Sequence, residues 1–176
     1  MRSLWTSLIL IENSNVAERA VVNASPLIFL SRAGLIDLLR QVSFEVIVPE
    51  AVAAEIVVRG DSDPTAQALT TTSWLVFTPT PLIPAQIQAW GLGPGESSVI
   101  AWAREHKGSE AMIDDLAARR CAAAFNIPVR GTLGLVLRAK QRGHISSARQ
   151  VLDELRRAGM YLSDRVLNEA LARVGE

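Results

Sequence analysis

The sequence predicts an α/β fold in which helices cover both faces of a parallel sheet. Short apolar runs rich in β-branched residues alternate along the chain with longer segments that repeat apolar residues at helical spacing. Strands that are separated by helices favour parallel pairing, because each crossover returns the chain to the same edge of the sheet. The chain has 176 residues, 49% of them apolar and 20% charged, which is enough for one compact domain with a sizeable core.

Five apolar runs are predicted to be strands. The second, FEVIV, is bounded by Pro49, and the fourth, AMID, runs into two adjacent aspartates. The carboxyl ends of parallel strands meet at one edge of the sheet, where α/β folds bind their ligands. The predicted strands are 20–23, 44–48, 74–78, 111–114 and 127–130.

Nine further segments are predicted to contain helices. Pro49 and Pro64 open two of them, since proline fits the first helical turn. A Gly-Pro stop precedes another, and the segment LIFLSRAGLIDLL has helical periodicity throughout. The predicted helices lie within 27–39, 50–58, 64–72, 84–90, 91–106, 116–125, 131–143, 147–159 and 163–174.

Charge and cysteine content narrow the classes of function. The formal net charge is zero, so there is no overall basic excess to indicate nucleic-acid binding. The single cysteine, Cys121, excludes an internal disulfide or a Cys-based zinc site and favours a reduced, cytoplasmic setting. His106 and His144 lack the spacing of zinc ligands, which makes zinc an unfavoured metal.

Residues 1–19 are predicted to be an extension of unknown role in front of a single domain at 20–176. They contain LWTSLILI, an apolar stretch of eight residues that is followed at once by Glu12. This stretch is too short to cross a bilayer and has no evident cleavage site, so no membrane association is expected. Three interpretations stay open for residues 1–19: an extra strand, a docking segment or a loosely ordered leader.

Several acidic or amide side chains, far apart in the chain, are expected to meet in one cleft. Asn23 and Asp114 stand at the carboxyl ends of predicted strands, whereas Glu55 and Glu96 lie on helices that follow a strand or a turn. Asp115 stands next to Asp114, where charge repulsion and lost solvation both oppose the pair. Carboxylate and amide oxygens suit Mg²⁺ or Mn²⁺, and a bound cation would offset the repulsion.

Each of these residues also has a purely structural interpretation. Asp114 or Asp115 can cap the helix that follows, and Asp115 can pair with an arginine one turn further on. Glu55 can pair with the arginine four residues later, although its neighbours are apolar. Glu96 suits the positive end of a helix dipole, and Asn23 can be a turn residue. The prediction of a cation site therefore rests on the whole set.

A basic segment follows the paired aspartates. Residues 116–152 contain no acid but seven arginines and lysines, which form either ordinary solvated helix faces or a basic rim beside the acidic centre. A rim of this kind suits a phosphodiester substrate. The motif RGTLG adds a helix N-terminus that can contact a phosphate or a sugar. The predicted contacts of such a substrate are Ser25, Arg119, Arg130, Thr132 and Arg138.

Four stretches together resemble the PIN-domain superfamily, and most closely its VapC-like subgroup. They are VVNASPLIFLSRAGLIDLL, VIVPEAVAAEI, GPGESSVIAWARE and MIDDLAARRCAAAFNIPVRGTLGLVLRAKQRG, and the resemblance covers residues 20–176 in consistent order. It implies a three-layer α/β/α sandwich with a central, mostly parallel sheet. It also implies a Mg²⁺- or Mn²⁺-dependent endoribonuclease that is the toxin of a type II toxin–antitoxin pair. The implied partners are RNA, a cognate antitoxin protein and a second copy in a homodimer.

The resemblance also carries over the catalytic positions of the family, one residue at a time. The first acid falls on Asn23, the helical glutamate on Glu55, the third acid on Glu96, and the last on Asp114 or Asp115. All five are predicted catalytic residues, and the four carboxylates among them are the predicted metal ligands. Asn23 is not an acid, and Glu96 replaces the more usual aspartate. A non-catalytic PIN-like module that binds RNA or a protein with a degenerate site is the alternative function.

Overall fold

The computed structural model describes residues 17–41 and 43–176, which form one five-stranded sheet with helices packed around it. The predicted extension therefore lies outside the described residues, apart from 17–19, which belong to the first strand. All four strand pairings are parallel, in the order β3-β2-β1-β4-β5. This confirms the predicted three-layer α/β/α fold. The strands are β1 Ala17–Val22, β2 Ser43–Pro49, β3 Leu75–Thr78, β4 Glu110–Met112 and β5 Val129–Arg130.

The central strand β1 shows why the sequence favours this arrangement. Val21 pairs opposite Ile47 of β2 on one side and opposite Ala111 of β4 on the other. Residues 20–22 are fully buried, because helices cover both faces of the sheet. The short apolar run at 20–23 therefore marks a strand with no solvent-facing side along its last half.

The described residues contain nine α-helices and one 3-10 helix, of which the last three follow the final strand. Helix α5 contacts β1, β2 and β4 as well as the neighbouring helix α6, while α7 packs against α8 and the 3-10 helix. The helices are α1 Ala24–Arg32, α2 Glu50–Val57, α3 Pro64–Thr71, α4 Ala85–Gln88, α5 Pro94–Glu105, α6 Leu116–Ala124, α7 Thr132–Gln141, α8 Ala148–Arg157 and α9 Asp164–Ala172; the 3-10 helix is Ile36–Gln41.

The periodic segment 27–39 differs from the expectation of continuous helical structure. Helix α1 ends at Arg32, and the chain turns at Gly34, whose φ of +69° is the left-handed conformation that glycine adopts without strain. The N–H of Leu35 then donates to the carbonyl of Leu30 at 2.7 Å, which closes the helix end. Apolar spacing continues through the turn because both sides of it pack on the same core.

None of the helices within residues 17–41 and 43–176 is long and apolar enough to cross a membrane.

Candidate active site

Asn23 lies at the carboxyl end of the central strand and carries an unsatisfied amide oxygen. Its backbone N–H donates to the carbonyl of Met112 at 3.0 Å, which ties it to the end of the neighbouring strand β4. Asn23 is 4% exposed, and its side chain makes no cap bond to α1 and leaves Oδ1 buried without a hydrogen-bond partner. A buried oxygen in this state costs about 1–3 kcal/mol unless a ligand or water satisfies it. The turn-residue interpretation leaves that cost unexplained.

Glu55 reaches from α2 to the start of α5. Its Oε1 accepts a hydrogen bond from the N–H of Gly95 at 2.7 Å. A Cβ on Gly95 would stand 2.7 Å from both carboxylate oxygens, so only glycine lets the two groups approach this closely. Arg59, the alternative partner for Glu55, pairs instead with Asp63 at 3.1 Å.

Glu96 stands in the first turn of α5, where its Oε2 accepts a hydrogen bond from the N–H of Gly93 at 3.2 Å. Burial raises the pKa of Glu96, and the hydrogen bond from Gly93 opposes that change. The negative charges of Asp115 and Glu55 raise the pKa of Glu96 further. These mutual effects show that Glu55, Glu96 and Asp115 share one electrostatic environment, although they come from three separate segments.

The paired aspartates have different partners. Asp115 is exposed and caps α6, with its Oδ1 accepting from the N–H of Ala118 at 2.9 Å. Asp114 turns to the start of α7, where Oδ1 accepts from the N–H of Thr132 at 2.7 Å and Oδ2 accepts from its hydroxyl at 2.6 Å. The capping interpretation therefore holds for Asp115, and Asp114 binds a different helix from the one it precedes.

All four carboxylates share one feature: each accepts a hydrogen bond from a backbone N–H at the start of a helix. Helix α5 serves two of them, and α6 and α7 serve one each. The partial positive charge at a helix N-terminus stabilises a carboxylate, so these contacts offset part of the repulsion between the acids. The helix N-termini thus stabilise the four carboxylates of the cluster.

Arg119 supplies a positive charge beside Asp114. Its Nη1 donates to the carbonyl of Ile113 at 3.2 Å, and its charge lowers the pKa of Asp114. Burial is nevertheless the larger effect and raises the pKa of Asp114, against the opposing hydrogen bonds from Thr132. Burial also disfavours the charged form of Arg119 and therefore lowers its pKa.

The predicted RNA-binding arginines make intramolecular contacts in the structure. Arg130 forms a largely buried ion pair with Glu110, with Nη2 and Nε 2.7 and 2.9 Å from the carboxylate oxygens. Arg138 is 7% exposed, and Thr132 is fully buried. Glu110 was not among the predicted functional residues, although an acid opening an apolar strand of the sheet is a usable signal. Contact with RNA stays a prediction for all five residues, which are Ser25, Arg119, Arg130, Thr132 and Arg138.

The donor groups fit a hard cation that keeps part of its water shell. Within residues 17–41 and 43–176, no group of three or more His, Cys, Asp or Glu side chains is arranged to hold a metal ion. Mg²⁺ in phosphoryl-transfer sites usually keeps several waters and takes only one or two protein carboxylates, the rest coming from the substrate. The carboxylates around Glu96 and the amide oxygen of Asn23 supply oxygen donors of the type that such a cation takes, and a cation site among them stays a prediction.

Two surface cavities, of about 460 and 290 Å³, are lined by none of the predicted site residues. The larger lies between the ends of α1 and α8, and the smaller lies on the 3-10 helix. The acidic cluster is thus separate from both cavities.

Comparison with known proteins places the chain in a family. A family model described as a PIN domain matches residues 19–176. No curated protein and no solved structure matches the chain. PIN domains are typically metal-dependent nucleases, and PIN nucleases act on RNA. The match confirms the resemblance to the PIN superfamily, while assignment to the VapC-like subgroup stays a prediction. With nine-tenths of its length matched, the chain belongs to the PIN domain family.

Proposed function

We propose that the protein is a metal-dependent endoribonuclease. The observation that carries the proposal is the amide oxygen of Asn23, which is buried without a partner at the carboxyl end of the central strand. Buried polar atoms in folded proteins nearly always have partners, and a bound ion or water is one explanation for an atom that lacks one. Asn23 follows β1, and β1 pairs with β4, the strand that leads into the two aspartates.

The side chains divide the work of phosphodiester hydrolysis among them. Of Glu55, Glu96 and an aspartate, one or two would bind the cation directly and the rest through its water shell. Asn23 would accept a hydrogen bond from the attacking water or complete the coordination shell. When bound, Mg²⁺ or Mn²⁺ supplies positive charge that acidifies water and stabilises the charge developing on the scissile phosphate.

The wider biological role is proposed from the resemblance to the VapC-like subgroup. In that role the protein is the toxin of a type II toxin–antitoxin pair, acts in the cytoplasm as a homodimer, and is neutralised by a cognate antitoxin protein. Induced expression should then arrest growth, and expression of Glu55→Gln should not.

A second function is favoured by one observation, the amide at position 23. Asn23 brings no charge to the position where the family has an acid, which is what a degenerate site would show. The alternative is a non-catalytic module that binds RNA or a protein.

The two functions are separated by Asn23→Asp. We expect the wild type to cleave RNA weakly, more strongly with Mn²⁺ than with Mg²⁺. The new carboxylate should lower the metal concentration for half-maximal cleavage, because a charged oxygen binds a cation more tightly than an amide oxygen. It should also lower the unfolding free energy in EDTA by about 1–3 kcal/mol, because it is buried without a partner.

Asn168→Asp is the matched control, since it adds the same charge on the exposed side of α9. It should change neither quantity. Loss of stability in Asn23→Asp without RNA cleavage by either protein at any metal concentration, across several RNA substrates, would favour the binding module.

A further inference from the structure

Asp114 and Asp115 stand side by side but face different parts of the molecule. The backbone at Asp115 is extended, with φ −63° and ψ 134°, and consecutive side chains of an extended chain point to opposite sides. Asp115 accepts from the start of α6, while Asp114 accepts from the start of α7. The two adjacent carboxylates therefore bind the N-termini of two different helices.

The surroundings of Asp114 form a closed cluster. Both of its oxygens accept hydrogen bonds from Thr132, which is fully buried. A Cβ on Gly131 would stand 2.9 Å from Asp114 Oδ1 and 2.6 Å from Arg119 Nη1. Arg119 in turn donates to the carbonyl of Ile113, the residue before Asp114. Both oxygens of Asp114 are thus occupied by Thr132, with Gly131 and Arg119 packed close to Oδ1, so Asp114 serves as a structural acceptor.

We infer that Asp114, Thr132 and Arg119 form a clamp that locks the start of α7 onto the end of β4, and that Thr132 is a positioning residue for Asp115. This inference rests on the proposed function, and it assigns the metal-directed carboxylate of the pair to Asp115. Thr132 holds Asp114 through two hydrogen bonds, and Asp115 follows in the chain. The clamp therefore sets the distance between Asp115 and Glu96. It also gives Thr132 a task other than the predicted phosphate contact.

The test compares Thr132→Val, which keeps the shape and loses the hydroxyl, with Thr132→Ser, which keeps the hydroxyl. Thr78→Val is the matched control, because the buried Thr78 hydroxyl has no partner. Each full-length variant is examined for melting temperature in EDTA, for the Mn²⁺ concentration that gives half of the metal-induced rise in melting temperature, and for kcat and KM of RNA cleavage.

We expect Thr132→Val to melt lower in EDTA and to need more Mn²⁺. Its kcat should fall by up to about 100-fold with KM unchanged, since a displacement of about 1 Å at a reacting group can cost that much. Thr132→Ser should restore all three quantities, whereas Thr78→Val should melt no lower than the wild type and should keep its Mn²⁺ midpoint and kcat. A serine variant as impaired as the valine variant, or a valine variant that loses stability but keeps its Mn²⁺ response and kcat, would overturn the positioning role.

The two aspartates are then separated by Asp114→Asn and Asp115→Asn. Asp115→Asn should keep its melting temperature in EDTA, because asparagine caps helices as well as aspartate does, and should lose the Mn²⁺ response. Asp114→Asn should melt lower in EDTA and keep that response. The reverse pattern would overturn the assignment.

Failure of the proposed function gives a different pattern from failure of the clamp. A wild type without Mn²⁺ response or cleavage removes the metal assignment of Asp115 and the proposed function together. Melting in EDTA decides the clamp by itself: equal melting temperatures of Thr132→Val and the wild type contradict it.

Discussion

Gly95→Ala should move Glu55 while leaving the fold in place. The added Cβ would stand 2.7 Å from both Glu55 carboxylate oxygens and 2.8 Å from Cδ. Real atoms do not approach so closely, and the end of a flexible side chain moves more easily than the backbone. Glu55 should therefore swing away from α5 and lose its 2.7 Å hydrogen bond with the Gly95 N–H.

The stability cost should be small, because two effects oppose each other. Loss of a hydrogen bond to a charged acceptor costs about 1.5–3 kcal/mol. Replacing glycine by alanine inside a helix returns up to about 1 kcal/mol. The net loss of roughly 1 kcal/mol corresponds to a fall of about 2–4 °C in melting temperature for a domain of this size.

Gly95→Ala should reduce the stability gained from bound Mn²⁺ by a larger fraction than it reduces the stability without metal. At a Mn²⁺ concentration of about 100 times Kd, binding adds about 2.7 kcal/mol of stability to the wild type. A tenfold weaker site retains about half of that gain at the same concentration. Differential scanning calorimetry over a Mn²⁺ titration, starting from EDTA, measures both the fall without metal and the reduced response.

Gly93→Ala is the control, two residues away on the same helix start. Its Cβ would meet Glu96 Oε2 at 3.7 Å, an ordinary contact, so no carboxylate has to move. Alanine is a poorer N-cap than glycine and should lower stability slightly without changing the Mn²⁺ midpoint. If Gly95→Ala responds to Mn²⁺ as the wild type does, Glu55 is not part of the cation site.

Two further predictions concern titrating carboxylates. The pKa of Glu96 is raised above its ordinary 4.5, so the folded state binds this proton more tightly than the unfolded state does. In EDTA, the contribution of this proton to the free energy of unfolding should be complete below pH 4.5. It should be lost as the pH rises through the raised pKa. Glu96→Gln should flatten that decline in urea unfolding measured at a series of pH values, and an unchanged profile would contradict the burial of Glu96. Glu176 shows the opposite sign: Lys140 and the first backbone N–H groups of α8 lower its pKa to about 2, so its contribution should be present above pH 4.5 and lost as pH falls towards 2. Glu176→Gln should therefore melt lower than the wild type at pH 7, with the difference shrinking in acid. Glu169→Gln, which breaks only an exposed pair, should melt like the wild type.

The fold could be predicted largely because its signals are local. Each strand of the sheet is a short apolar run, and each run ends at a proline, a glycine or a polar residue, so all five were found within a few residues of their bounds. The interruption of the segment 27–39 was the exception. Gly34 was visible in the sequence, but apolar spacing carries on across it and hides the turn.

The site could be predicted only as a set of residues. Their positions at strand ends follow from the pattern, whereas their partners depend on tertiary packing. Glu55 finds its N–H donor on a helix 40 residues further along the chain, and no local rule points there. Arg130 is a similar case: an acid-free segment indicated solvent exposure, but the neutralising Glu110 stands on the adjacent strand.

The strand order of the sheet also bears on how the chain folds. Ala17 of β1 pairs opposite Ser43, whereas Ala20 pairs opposite Glu110, so the second contact closes a loop more than three times as long. Closing the longer loop costs about 1 kcal/mol more in chain entropy. Strands β1, β2 and β3 can therefore assemble from the first half of the chain as it is synthesised, while β4 and β5 add later. The candidate active site and the clamp at Thr132 draw on residues from 23 to 132, so they cannot form until three-quarters of the chain has been made.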